Sequence, residues 1–200
     1  MHFLGLPKQN KESQYSIAGF APGVYYYFVM GQMSQFFPLL VSCDIKLAMA
    51  WKKNTLVPLL QLSKSQRIVN VSSNAGDLHW FYNEELKQEL YDIENLTEER
   101  IHEIIQWFLR DFKAAKLREN GWPLTISAYK VSKVAFNAYT RLLAKKFQNI
   151  LVNAVHPGYV VTNMTCHTGF LTQEEGAKGP VMAALLPDDG PSSSTSKKWK

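Results

Sequence analysis

Tyr129 and Lys133 stand four residues apart in Ala128-Tyr129-Lys130-Val131-Ser132-Lys133. On an α-helix that spacing stacks the two side chains on one face. An ammonium beside a phenol favours the phenolate and lowers the tyrosine pKa from its ordinary value of about 10. Such a phenol can exchange a proton with a substrate oxygen near neutral pH. The chemistry on offer is therefore acid–base work on an alcohol or a carbonyl. Tyr and Lys at this spacing are common on solvated helix faces, so the pair takes its meaning from the elements around it.

Upstream, Arg67-Ile68-Val69-Asn70-Val71-Ser72-Ser73 reads as a short buried strand ending in two hydroxyls, with Asn74-Ala75-Gly76 turning the chain. Ligands of open parallel sheets bind beyond the carboxyl ends of the strands. Ser73 would stand there, able to hydrogen-bond a substrate oxygen or merely to satisfy its own turn. From Tyr129 to Phe147, apolar Val131, Ala135, Ala138, Leu142 and Leu143 alternate with polar residues, and Arg141, Lys145 and Lys146 gather near the end. That is an amphipathic helix with cations at its negative pole. Ile150-Leu151-Val152-Asn153-Ala154-Val155 reads as a second buried strand. Strand, crossover and strand in this order predict a parallel α/β unit. The loop His156-Pro157-Gly158-Tyr159-Val160-Val161-Thr162 follows. It would bring backbone groups of Val160 and the Thr162 hydroxyl toward the same crevice.

On these residues the chain resembles the short-chain dehydrogenases/reductases. Ser73, Tyr129 and Lys133 match the Ser, Tyr-x-x-x-Lys signature, and Pro157-Gly158 with Thr162 match the loop on the nicotinamide side. The long separation of Ser73 from Tyr129, together with Pro58-Leu59-Leu60-Gln61-Leu62-Ser63, Asn95-Leu96-Thr97-Glu98-Glu99-Arg100, Gly121-Trp122-Pro123, Ala144-Lys145-Lys146 and Asp189-Gly190-Pro191, is similar to the monomeric carbonyl reductase branch and its plant members. The match runs from about Leu56 to Pro191. It implies a partial Rossmann-like, doubly wound parallel sheet with flanking helices, its first βαβ units missing. It also implies NADPH-dependent reduction of a carbonyl of a small or terpenoid-like substrate. Tyr129 would give the proton, Ser73 would hold the oxygen, and Lys133 would lower the tyrosine pKa and grip the nicotinamide ribose. Pro157, Gly158, Val160, Val161 and Thr162 would hold the carboxamide end of the cofactor.

Other features depart from that pattern. The family opens on a strand and a glycine-rich turn that seats a pyrophosphate at a helix N-terminus. Here the chain opens Met1-His2-Phe3-Leu4-Gly5-Leu6-Pro7, and Gly19, Gly23 and Gly31 lack the fingerprint spacing. The family's Asn-Asn-Ala-Gly element is not visible, and its fourth catalytic residue, an asparagine, has no counterpart; Asn54 lies too close to Pro58. Without the pyrophosphate seat, three charge-assisted hydrogen bonds of about 1.5–3 kcal/mol each are forgone. That amounts to about 4.5–9 kcal/mol, at least about a thousandfold in affinity. The alternative expectation is therefore a catalytically inactive remnant serving as a binding scaffold or having no role.

The chain divides into an atypical apolar segment 1–55, the catalytic half 56–191 with a helical insert 77–123, and a basic tail 192–200 expected to be disordered. Both ends look replaced, as in a truncated copy. No charged residue falls between Ser13 and Cys43. Pro22, Pro38 and three glycines interrupt any membrane span there, and the Val24–Met30 run favours an improvised strand or a loosely ordered segment. In the insert, Ile101, Ile104, Ile105, Phe108, Leu109 and Phe112 recur at helical spacing, with Asn95 or Thr97 as cap. Trp80, Phe81, Tyr82 and Trp107 would line an apolar substrate pocket or else belong to the core.

In 200 residues there is room for one domain with a sizeable core. Net charge +5 is spread along the chain without a nucleic-acid-binding signature. Cys43 and Cys166 are too few for a disulfide framework and fit a reducing, cytoplasmic setting. Cys166-His167 lacks the further ligands a metal site needs, so no metal is expected. A monomer is expected, or self-association through the open edges of a narrow sheet.

Overall fold

The computed structural model describes residues 57–193 and two short backbone segments, Gly19–Phe20 (β1) and Val24–Tyr25 (β2), which pair antiparallel. The strand expected in the tyrosine run is thus seen at its first two residues. The rest of that run, most of segment 1–55 and residues 194–200 lie outside the described residues.

After a single helical turn, Val57–Leu60 (α1), the chain enters Arg67–Val71 (β3). Its parallel partner is Leu151–Val155 (β4), in register from Arg67 opposite Leu151 to Val71 opposite Val155. Both strands are rich in β-branched residues, which suit a pleated surface buried on both faces. Successive side chains leave a strand on opposite faces, and here each face has its own helix. Ile68 and Val152 join the core under the long helix Ser127–Lys146 (α4). Val69 and Val155 pack with Ala183 and Ala184 of the helix Gln173–Ala184 (α5). Asn70, fully buried on the α4 side, donates from its amide to the Thr140 hydroxyl at 2.8 Å, as a buried polar group must. The outcome is the expected α/β layering, a parallel pair with helices on both faces.

Helix α4 starts two residues ahead of the sequence-based boundary, after Ile126 in the left-handed region (φ 43°). Of the predicted stripe, Val131, Ala135, Ala138 and Leu143 are buried and Leu142 is only partly so, but Lys130, Lys133, Asn137 and Thr140 are buried as well. The helix is therefore covered nearly all round rather than amphipathic.

The insert forms two helices, Glu84–Tyr91 (α2) and Glu98–Lys113 (α3). Thr97 caps α3 by accepting from the Arg100 N–H at 3.0 Å, with Glu98 and Glu99 at the positive end. Of the expected stripe, Ile101, Ile104, Ile105 and Phe108 are buried, Leu109 is partly buried and Phe112 is exposed. Trp122, with no exposed surface, meets Phe81, Trp107 and Phe108 edge-on at 5.8, 5.0 and 5.3 Å between ring centres. Its indole N–H donates to buried Asp111 at 2.7 Å, which also accepts from Asn120. Phe81 and Trp107 therefore belong to the core, whereas Trp80 and Tyr82 are exposed.

The two described residues of the basic tail, Ser192 and Ser193, lie against β4. The Ser193 N–H donates to the Val152 carbonyl at 2.8 Å, and the Val152 N–H donates to the Ser192 hydroxyl at 3.0 Å. Asn153 adds a bond to the Pro191 carbonyl. Unpaired edge groups of β4 account for this docking.

Candidate active site

Strand β3 ends at Val71, and the Ser72 N–H still donates to the Val155 carbonyl at 2.7 Å. Ser73 then leaves the sheet in extended conformation, and its hydroxyl accepts from the Ala75 N–H at 3.1 Å. That bond caps the turn Asn74–Gly76 and fixes where the hydroxyl stands. So Ser73 does satisfy its own turn, and its hydroxyl is also near enough to the phenol of Tyr129, in the first turn of α4, to pull that phenol's pKa down.

Lys133, one turn further along α4, is 5% exposed, with its ammonium 5.7 Å from the centre of the Tyr129 ring. The structure thus brings Ser73, Tyr129 and Lys133 together at the carboxyl end of β3. It does not show the electrostatics expected from sequence. Burial pushes the Tyr129 phenol above its ordinary value, while the Ser73 hydrogen bond pulls it down. Desolvation of the charged phenolate outweighs the help from its neighbours.

The loop after β4 departs from the same sheet edge, because Val155 lies opposite Val71. Gly158 adopts φ +90°, and a side chain there would collide with Leu171. Val160 bridges to Leu171, and the Val161 N–H donates to the Leu171 carbonyl at 2.9 Å. Thr162 caps the short turn Asn163–Thr165, whose Thr165 hydroxyl donates to the Val160 carbonyl at 2.7 Å. Pro157, Gly158, Val160, Val161 and Thr162 therefore form a loop braced by its own contacts beside the crevice. Cys166 is an exposed free thiol, and no cluster of three metal-ligating side chains occurs among the described residues. No helix among them is long and apolar enough to cross a membrane.

Two polar residues of this region were not singled out from sequence. Lys130, beside Tyr129, turns the other way: its buried ammonium bonds Thr125 at 2.9 Å and lies 3.8 Å from the centre of the Trp80 ring. Burial lowers its pKa. Asn137 continues the spacing of Tyr129 and Lys133 by one more turn, and its side chain accepts from the Ser72 hydroxyl at 2.5 Å and donates to the Gly76 carbonyl at 2.9 Å. The available signal was that repeat of four, Tyr129, Lys133, Asn137.

No protein-family model matches the chain. Individual proteins do. The chain is 51% identical over 139 residues to short-chain dehydrogenase/reductase 1 of Saponaria officinalis, covering 70% of this chain and 46% of that protein. It is 54% identical over 131 residues to the (+)-neomenthol dehydrogenase of Arabidopsis thaliana, covering 66% and 44%. Among solved structures, salutaridine reductase from Papaver somniferum aligns with a TM-score of 0.72 at 45% identity, over 79% of this chain and 55% of that one. The chain spans a little under half the length of these curated relatives. The Ser73, Tyr129 and Lys133 cluster sits at the edge of a parallel sheet layered by helices, and identity of about half runs through that region. On that combined ground the chain belongs to the short-chain dehydrogenases/reductases.

Proposed function

We propose that the chain carries the catalytic half of an NADPH-dependent oxidoreductase, which reduces a carbonyl of a small or terpenoid-like substrate to an alcohol. The observation that supports this most is the nearly buried Lys133 ammonium 5.7 Å from the centre of the Tyr129 ring, with the Ser73 hydroxyl drawing the phenol's pKa down. The choice of NADPH and a monomeric state rest on the family resemblance, and a cytoplasmic setting rests on the scarcity of cysteine.

The residues present fit the nicotinamide end of such a cofactor. An ammonium held out of water next to a phenol is a ready partner for ribose hydroxyls. Lys133 and Tyr129 would hold that ribose, and the loop bearing Pro157, Gly158, Val160, Val161 and Thr162 would hold the carboxamide. When bound, the cofactor supplies the hydride. Everything else falls to the chain. The Tyr129 phenol, kept protonated by burial, donates its proton to the substrate oxygen. The Ser73 hydroxyl holds that oxygen in place, and Lys133 stabilises the phenolate left behind.

Titrating the purified chain with NADPH and following cofactor fluorescence tests the reading. Saturable binding at sub-millimolar cofactor supports it; no binding favours the alternative, a remnant acting as a scaffold. If menadione is reduced, Tyr129→Phe should lower the rate by about a hundredfold or more. An unchanged rate would remove Tyr129 from its role as proton donor.

A further inference from the structure

We infer that Asn137 is a positioning residue: it clamps both ends of the turn that carries Ser73 onto α4 and thereby sets the Ser73 hydroxyl against Tyr129. This rests on the reading of Ser73 and Tyr129 as the reacting pair. The geometry is specific. Asn137 lies two helical turns beyond Tyr129 on the face that also carries Lys133. Its carboxamide uses both ends. The oxygen accepts from the Ser72 hydroxyl at 2.5 Å, just before Ser73, and the nitrogen donates to the Gly76 carbonyl at 2.9 Å, just after the turn.

The turn also lies flat on the helix. A side-chain carbon at Gly76 would come within 2.8 Å of the Lys133 carbonyl and collide with the Asn137 amide. Glycine allows the contact, and the carboxamide fixes its register. No other side-chain type of this length offers one acceptor and one donor at those two points: Asp lacks the donor and Leu lacks both. Ser73 itself is held within the turn by the Ala75 N–H. A displacement of the turn therefore moves Ser73 with it.

The test needs no turnover. Ultraviolet titration of the full chain, minus the same titration of Tyr129→Phe, isolates ionisation of the Tyr129 phenol. Ser73→Ala should raise its pKa, because the hydrogen bond that opposes burial is gone. Asn137→Ala should raise it in the same direction, and adding Asn137→Ala to Ser73→Ala should produce no further shift. Asn137→Asp, which keeps the acceptor for Ser72 and loses the donor to Gly76, should shift it as well. Ser72→Ala serves as the milder variant if Asn137→Ala does not fold.

An Asn137→Ala or Ser72→Ala protein that melts earlier but titrates like wild type would overturn the proposal, since a merely structural brace would do that. Additive shifts in the double variant would overturn it too, because Asn137 would then act on Tyr129 by another route. Failure of the reductase reading shows elsewhere, as absence of NADPH binding with these titration shifts intact.

Discussion

The serine turn and the helical insert press on the same helix, α4, by different means. The turn is small and is held by side-chain hydrogen bonds, Ser72 and Gly76 to Asn137, with Gly76 seated against the helix backbone. The insert is large and is held by apolar bulk: Ile101, Ile104, Ile105 and Phe108 of α3 share one core with Val131, Val134, Ala135 and Ala138 of α4. Its main polar device is the buried Asp111, tied to Trp122 and Asn120. Hydrogen bonds are directional and of modest net strength, whereas burial is non-directional and scales with area. The contrast teaches a division of labour. The insert supplies stability to α4, and the turn supplies placement to the side chains that would do chemistry.

The largest expected effect lies on the insert side. Trp122→Ala empties a wholly buried site packed by three aromatic rings and leaves Asp111 without its indole donor. A loss of about 3–5 kcal/mol is expected in urea unfolding. Equal stability of variant and wild type would dissolve the proposed division.

Next comes Gly76→Ala on the turn side. The added methyl must displace either the Lys133 backbone or the Asn137 amide. Overpacking of that kind costs about 1–3 kcal/mol. The informative outcome is the ratio: a smaller loss of stability than Trp122→Ala, with a larger effect on NADPH-dependent activity per kcal/mol lost. A variant that unfolds more easily than Trp122→Ala would invert the comparison.

The same two regions differ in how far the sequence revealed them. The strand pair β3 and β4 and the helix α4 were legible because periodicity and chain order pointed one way, and a motif singled out Ser73, Tyr129 and Lys133 as the candidates for chemistry. Helix α3 was legible from its apolar spacing. Helix α2 was not: in eight residues it buries only Leu86 and Leu90, too few to set up a visible stripe. Helix α5 was hidden by Gly176, Gly179 and Pro180, residues that argue against a helix but fit here because the small Gly176 packs under Val160. The sign of the Tyr129 shift escaped for another reason. Spacing predicts that Lys133 is near, but burial, which wins, depends on what the whole fold stacks over the phenol.

The smallest effect sharpens the comparison at high pH. Two tyrosines of α4 have a pKa that burial raises: half-buried Tyr129 by the turn and fully buried Tyr139 toward the insert. At Tyr129 the Ser73 hydroxyl opposes the rise, whereas at Tyr139 the charge of Glu98 adds to it. A folded-state pKa above the unfolded value of about 10 means that the unfolded chain loses its proton first. Stability from this source is then complete below about pH 10 and declines as pH rises through the folded values. Urea unfolding of wild type should therefore weaken progressively as pH rises above about 10. Tyr139→Phe should flatten that decline more than Tyr129→Phe, because the Glu98 charge adds to the rise at Tyr139 whereas the Ser73 hydroxyl opposes it at Tyr129. If Tyr129→Phe flattens it more, the phenol by the turn is the less solvated and less assisted of the two. The turn would then be excluding water rather than placing a hydrogen bond.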